Sequence, residues 1–178
     1  MLVSTGPIAL ARPGWHLKPG SVTSIVADDS GGRPDVLAAQ IICGAAVSGV
    51  KVLVLLPWDR REDSVWSVVV ELVAAGSEEA AARAISSMPL LMYSGGTGKQ
   101  YVGKAGLVYA PGLGPRELQE LSEKTAAPVL TFTDLESEVA LRTSAEVIRV
   151  CRDAIVLDGE GVEVPVEYDP SGPVYRPA

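Results

Sequence analysis

The sequence predicts an α/β fold: a mostly parallel sheet flanked by helices, closed by an antiparallel C-terminal hairpin. Three observations predict it. Continuous apolar runs such as Lys51–Leu56 (KVLVLL) read as parallel strands covered on both faces. They alternate with stretches of helical periodicity. Near the C-terminus, Asp158-Gly159-Glu160-Gly161 separates two further strand-like runs, a strong hairpin signal. At 178 residues without an internal repeat, the chain reads as a single three-layer domain over residues 1–178.

Taken in order, residues 1–20 carry Gly6, Pro7, Pro13, Gly14, Pro19 and Gly20, which break any long element and leave an opening segment. Val22–Ala27 turns nearly all apolar, as a buried strand does. Pro34 suits the first turn of a following helix, whose buried stripe is Leu37, Ile41, Ile42 and Ala45 and whose end is Gly49. Lys51–Leu56 is the second strand, Glu62–Ala75 a helix with core stripe Val65, Val69 and Leu72, and Glu78–Ser86 another helical segment. Pro89–Tyr93 is a short strand, and Tyr101–Ala110 continues strand-like with Ala105–Ala110 as its buried part. Arg116–Thr125 reads as a helix, Pro128–Thr133 as a strand, and Glu136–Arg149 as a helix with Val139, Ala140 and Ile148 on its apolar face. Asp153–Leu157 and Val162–Tyr168 form the hairpin, and residues 169–178 an extended tail.

Composition narrows the function. The net charge of −7 argues against a protein dominated by contacts with a nucleic-acid backbone. A local basic patch has Arg60, Arg61, Lys99 and Lys104 as its best candidates, and solvated surface charge is the plainer reading of them. No apolar run approaches the roughly 20 residues that span a bilayer. The N-terminus lacks the pattern of a secretory signal, so a cytoplasmic location is expected. Cys43 and Cys151, isolated from one another, read as packing residues, and a single histidine, His16, offers no partners for a metal cluster. The absence of Asn beside many Arg, Glu and Pro points to a thermophilic source.

The stretch Ser21–Ser48 has the strand–loop–helix layout in which phosphates lie on a helix N-terminus. A working loop needs Gly-x-x-x-x-Gly-Lys-Ser/Thr; the aligned residues are Ala27, Asp28, Asp29, Ser30, Gly31, Gly32, Arg33 and Pro34. One of two glycines survives, arginine replaces lysine, and proline replaces the magnesium-binding hydroxyl. Ser30, Gly31, Gly32 and Arg33 are thus read as a vestigial nucleotide-binding site. Asp28, Asp29, Trp58 and Asp59 form its candidate rim, the latter two because they follow a strand's C-terminal end. Asp28 and Asp29 either face the loop, where they repel an anion, or serve only as helix caps. The second glycine cluster, residues 94–100, has too few residues between Gly95 and Gly98-Lys99 and reads as a flexible or hairpin-like loop.

In this order the chain resembles the RecA-like ATPase family, a P-loop NTPase fold, and within it the KaiC/RadA-like archaeal branch. The resemblance rests on Ser4-Thr5-Gly6, on Lys18-Pro19-Gly20-Ser21-Val22-Thr23, on Ala38-Ala39-Gln40, on Gly49-Val50-Lys51-Val52-Leu53 and on Arg152-Asp153-Ala154-Ile155-Val156-Leu157. It implies a strand carrying the Walker B acid, yet Leu107-Val108-Tyr109-Ala110-Pro111 has none. It also implies a catalytic carboxylate after the second strand, where Asp59 fits only with a slipped register. With the loop lysine and hydroxyl missing too, three parts of one mechanism are altered.

The expectation is therefore a non-enzymatic relative, with no catalytic residue, no metal and no required cofactor. It would regulate or scaffold an active ATPase or recombinase, with a RecA-like protein or a second copy as partner. Trp15, Trp58 and Trp66 are either its contact residues or core filling. Two alternatives stand beside it: residual binding of ATP or another phosphate ligand with weak hydrolysis, and a single-strand DNA accessory role in repair, for which aromatic platforms are few.

Overall fold

A computed structural model describes residues 7–57, 63–75, 90–93, 103–133, 146–171 and 174–178. Nine strands form one sheet in the order β3-β2-β4-β5-β1-β6-β7-β8-β9. They are β1 (Val22–Ala27), β2 (Val52–Pro57), β3 (Leu90–Tyr93), β4 (Leu107–Tyr109), β5 (Val129–Thr133), β6 (Glu146–Val150), β7 (Ala154–Leu157), β8 (Val162–Asp169) and β9 (Val174–Pro177). From β3 to β6 every pairing is parallel, and from β6 to β9 every pairing is antiparallel. The expected α/β architecture is present, with the hairpin extended by one strand: the tail pairs with β8 as β9.

Four helices are described: α1 (Pro7–Ala11), α2 (Pro34–Val47), α3 (Ser64–Ala75) and α4 (Pro115–Lys124). Period-two alternation places successive side chains of the parallel strands in two cores. Val52, Val54 and Leu56 join Leu107, Tyr109 and Ile25 in the core beneath α2 and α3, whereas Leu53 and Leu55 join Val108 and Val129 beneath α4. Because both faces are covered, the strands show no polar alternation. Helix α2 is apolar almost all round, with Val36, Leu37, Ala38, Ala39, Ile41 and Ile42 wholly buried. It packs beside α3 and touches β9 at its N-terminal end. Gly49, at φ +81°, turns the chain out of α2 in the left-handed region that favours glycine. In α4, Glu117 reaches back to accept the Gly114 N–H at 3.0 Å, the acidic half of a capping box.

Two expectations are corrected. The helix read over Glu136–Arg149 does not reach residues 146–150, which form β6 in the middle of the sheet, hydrogen-bonded to β1 and β7. Its β-branched Val147, Ile148 and Val150 fit a pleated, two-sided surface better than a helix. Within the described residues 103–110 of the strand-like Tyr101–Ala110, the strand covers Leu107–Tyr109, because Lys104 lies in a turn and the Gly106 N–H donates to the Lys51 carbonyl at 2.8 Å. The expected helix Glu78–Ser86, the glycine cluster at 94–100, and residues 134–145 lie outside the described residues. Among the described residues, no helix is long and apolar enough to cross a membrane.

Glu146 opens β6 as a buried acid, only 5% exposed. Its carboxylate accepts the Gly159 N–H at 3.0 Å and lies 4.0 Å from the Lys18 ammonium. These contacts compensate its burial and tie the β7–β8 turn to the opening segment. Trp15 is half-buried against the larger core, so this tryptophan is in part a packing residue.

Candidate functional site

The loop after β1 lies where the parallel strands end, so Asp28, Asp29, Ser30, Gly31, Gly32 and Arg33 come together over the C-terminal end of β6. Asp28 accepts from the Ser30 N–H at 2.9 Å and from the Ser30 hydroxyl, closing a tight local turn. The Ser30 oxygen in turn accepts the Arg152 N–H at 2.8 Å. Gly31 has φ +87°, which lets the chain reverse. Gly32 presses onto the sheet: a Cβ there would stand 2.2 Å from the Val150 carbonyl oxygen and 2.7 Å from that of Cys151.

The helix-cap reading of Asp28 is corrected. Asp28 caps its own turn, not α2. The N-cap of α2 is Arg33, which makes no side-chain capping bond, and Pro34 at the next position has no N–H. The cap comes from elsewhere: the Arg33 N–H donates to the hydroxyl of Tyr175 in β9, at 2.7 Å. Arg33's guanidinium is committed as well, forking onto both Asp35 oxygens at 3.0 and 2.9 Å and standing 5.8 Å from the centre of the Tyr168 ring. Beside these groups opens a cleft of about 490 Å³ lined by Gly31, Arg33, Arg152, Tyr168 and Tyr175, with Asp153 and Glu167 also on its wall.

Electrostatics follow from this geometry. Partial desolvation pulls the Asp28 carboxyl upward. Hydrogen bonds from the Ser30 hydroxyl, the Cys151 thiol and the Ser30 amide, with the Arg149 charge, outweigh it and hold Asp28 below the usual carboxylate value. The Asp35 hydrogen bonds raise Arg33 further despite some desolvation, so it stays a paired cation. Burial pushes the Tyr175 phenol up, which keeps its proton on the ring oxygen. An anion approaching this loop meets Asp28, Asp29 and Asp35, against Arg33, which is paired with Asp35, and Arg152 on the cleft wall.

The two cysteines share one chemical character. Burial, and then the Asp28 carboxylate, push the Cys151 thiol up to about 11, and burial alone pushes Cys43 to about 11. A thiolate is the reactive form, so relative to an ordinary cysteine at 9.0 each is poorer in it by about 100-fold. We therefore expect iodoacetamide at pH 7.5 to label both residues of the folded protein about 100-fold more slowly than a free thiol, and normally after unfolding. Fast labelling of Cys151 while folded would contradict this assignment.

A second polar centre went unread in the sequence. Asp63, 6% exposed, precedes α3 and accepts a hydrogen bond from the Tyr109 hydroxyl at 2.9 Å. Tyr109 ends β4, the strand on which the resemblance placed a missing acid, so α3 brings a carboxylate to that strand from another element. The signal available was Asp63-Ser64 ahead of an apolar periodic run, an ordinary helix N-terminus. Trp58 and Asp59 lie outside the described residues, and for Trp66 only the backbone is described. Among the described residues, no three His, Cys, Asp or Glu side chains are grouped to hold a metal ion.

No protein-family model matches the sequence, and no curated protein does. Solved structures do match its fold. The RadB recombinase superposes with a TM-score of 0.66 at 15% identity, over 99% of this chain and 100% of that one. A KaiC-like protein from the hyperthermophilic archaeon Pyrococcus horikoshii OT3 also gives 0.66, at 12% identity, over 99% and 98%. With the strand order, the parallel core and the antiparallel C-terminal strands, these likenesses show that the chain has the RecA-like, KaiC-like α/β fold.

Proposed function

We propose that this protein is a non-catalytic, cytoplasmic relative of the RecA/KaiC-like ATPases, acting as a regulatory or scaffolding partner of an active ATPase or recombinase. The observation that carries the reading is the Arg33–Tyr175 bond: the amide at the start of α2 is already satisfied by the protein's own phenol. Three further features support it. The guanidinium in the lysine position is held by Asp35, Pro34 supplies no hydroxyl for magnesium, and Tyr109 stands at the end of β4 where an acid is needed. Two groups that would meet a transferring phosphoryl group, the Arg33 amide and guanidinium, are thus engaged internally, and the hydroxyl that would hold magnesium is missing. On this reading the protein acts through what it holds, with a RecA-like protein or a second copy as its partner.

A thermal-shift titration with Mg-ATP and Mg-ADP tests this directly. A ligand at 100 times its dissociation constant adds about 2.7 kcal/mol, which for a domain of this size is a rise of about 5–11 °C. The expected result is no saturable shift at millimolar nucleotide, with no phosphate released. Phosphate release would overturn the non-catalytic assignment, and a saturable rise that Arg33→Ala removes would revive nucleotide binding. It would favour phosphate-ligand binding in the cleft of Arg33 and Arg152.

A further inference from the structure

We infer that β9 is an intramolecular latch: the C-terminal strand sets the order of the loop Ala27–Pro34, so that seating of β9 and closure of the loop are coupled. The inference does not depend on whether the chain hydrolyses nucleotide. It rests on where Tyr175 spends its three polar groups.

Strand β9 is four residues long and lies at the edge of the sheet, paired on one side with β8. On its other side the Gln40 side chain of α2 behaves like one more strand. Its amide oxygen accepts the Tyr175 N–H at 2.7 Å, and its amide nitrogen donates to the Tyr175 carbonyl at 3.0 Å. That bidentate clamp satisfies both backbone groups of an edge residue that is itself only 3% exposed. The Tyr175 ring leans on Tyr168, centroids 5.5 Å apart and planes at 50°, and its hydroxyl takes the Arg33 N–H. Arg33 lies against the other partner of that ring pair, Tyr168.

Helix α2 has no cap of its own, as the loop geometry establishes, and Tyr175 supplies one from 142 positions along the chain. A terminus capped locally keeps its order when a distant strand moves, and this one does not. The clamp at Gln40 and the cap at Arg33 meet in a single residue. Anything that draws β9 off α2 therefore releases the loop exit as well, and loop opening loosens the strand in return, as reciprocal coupling requires. On the loop's other side, the bonds from Arg152 to Ser30 and from the Cys151 thiol to Asp28 remain. The device joins the chain's last strand to the stretch that, in this fold, faces the ends of the parallel strands.

Native-state amide exchange on the full chain tests it, with peptides covering 28–36, 174–178 and α4 as an internal reference. The described hydrogen bonds of Gln40 both go to Tyr175, so Gln40→Ala is the discriminating variant. The expected result is about tenfold faster exchange in both β9 and residues 28–36, with α4 unchanged. Tyr175→Phe, which keeps the strand and removes the hydroxyl, is expected to speed exchange in 28–36 by a similar factor while β9 stays protected. Faster exchange of β9 alone in Gln40→Ala overturns the coupling. So does an equal rise in α4, which would make β9 a contributor to global stability and nothing more. If Gln40→Ala fails to fold, the Tyr175→Phe result decides: an unchanged loop overturns the latch.

Discussion

Gly32→Ala is expected to destabilise the protein by about 2–4 kcal/mol, lowering the melting temperature by about 5–15 °C. The cause is a collision with backbone, not a loss of conformational freedom. The new methyl would lie 2.2 Å from the Val150 carbonyl oxygen and 2.7 Å from that of Cys151, and neither belongs to a side chain that can rotate away. To admit it, the loop must lift from β6, which also strains the Ser30–Arg152 and Arg33–Tyr175 bonds on either side. Gly31→Ala is the control. Its φ of +87° makes alanine strained there, yet a Cβ meets nothing within 4 Å, so the cost is about 1–2 kcal/mol. Denaturant unfolding of the two variants separates collision from strain. Equal losses would show that the loop does not bear on β6 as described.

That comparison also shows what the sequence could and could not tell. Residues Ser21–Ser48 were legible as strand, loop and helix because every signal there is local: an apolar run, a polar turn, Pro34 at the first helical position and Gly49 beyond the last. The altered residues of the loop were legible too, letter by letter. What fills the altered places was not. Tyr175 and Arg152 act on the loop, and Gln40 on Tyr175, across separations that no spacing rule covers, and the Asp63–Tyr109 pair joins the start of α3 to β4 across 46 positions. Such contacts are set by the strand order, which brings β6, β8 and β9 round to the loop. They become readable only once that order is known.

The misread element has a physical explanation as well. Glu146 is a poor strand residue by composition, and it follows a stretch rich in Ala, Leu and Glu, so helical spacing ran on through Ile148. Within the fold, the Gly159 N–H and Lys18 compensate that buried acid. Its burial in a strand therefore depends on partners 13 and 128 residues away. Local propensity gave way to pairing with β1, a tertiary term invisible in any window of ten residues.

Ile148→Ala measures the strength of that pairing, with an expected loss of about 3–4 kcal/mol and a fall of about 6–15 °C in melting temperature. Ile148 is wholly buried, and the ladder seats it between Ile25 of β1 and Leu157 of β7. Truncation removes its contacts with both and leaves a void that two hydrogen-bonded neighbours prevent from collapsing. Its neighbour Arg149 lies on the opposite face, partly exposed, and pairs with Asp158 at 2.9 Å, so Arg149→Ala is expected to cost about 1 kcal/mol, well below Ile148→Ala. A large loss beside a small one is the signature of a strand, where successive residues face opposite sides. Losses of similar size, or a cost below 1 kcal/mol at Ile148, would reject β6 as the strand that joins the parallel and antiparallel halves of the sheet. The loop, which rests on the last residue of β6, would then lose its support in the same measurement.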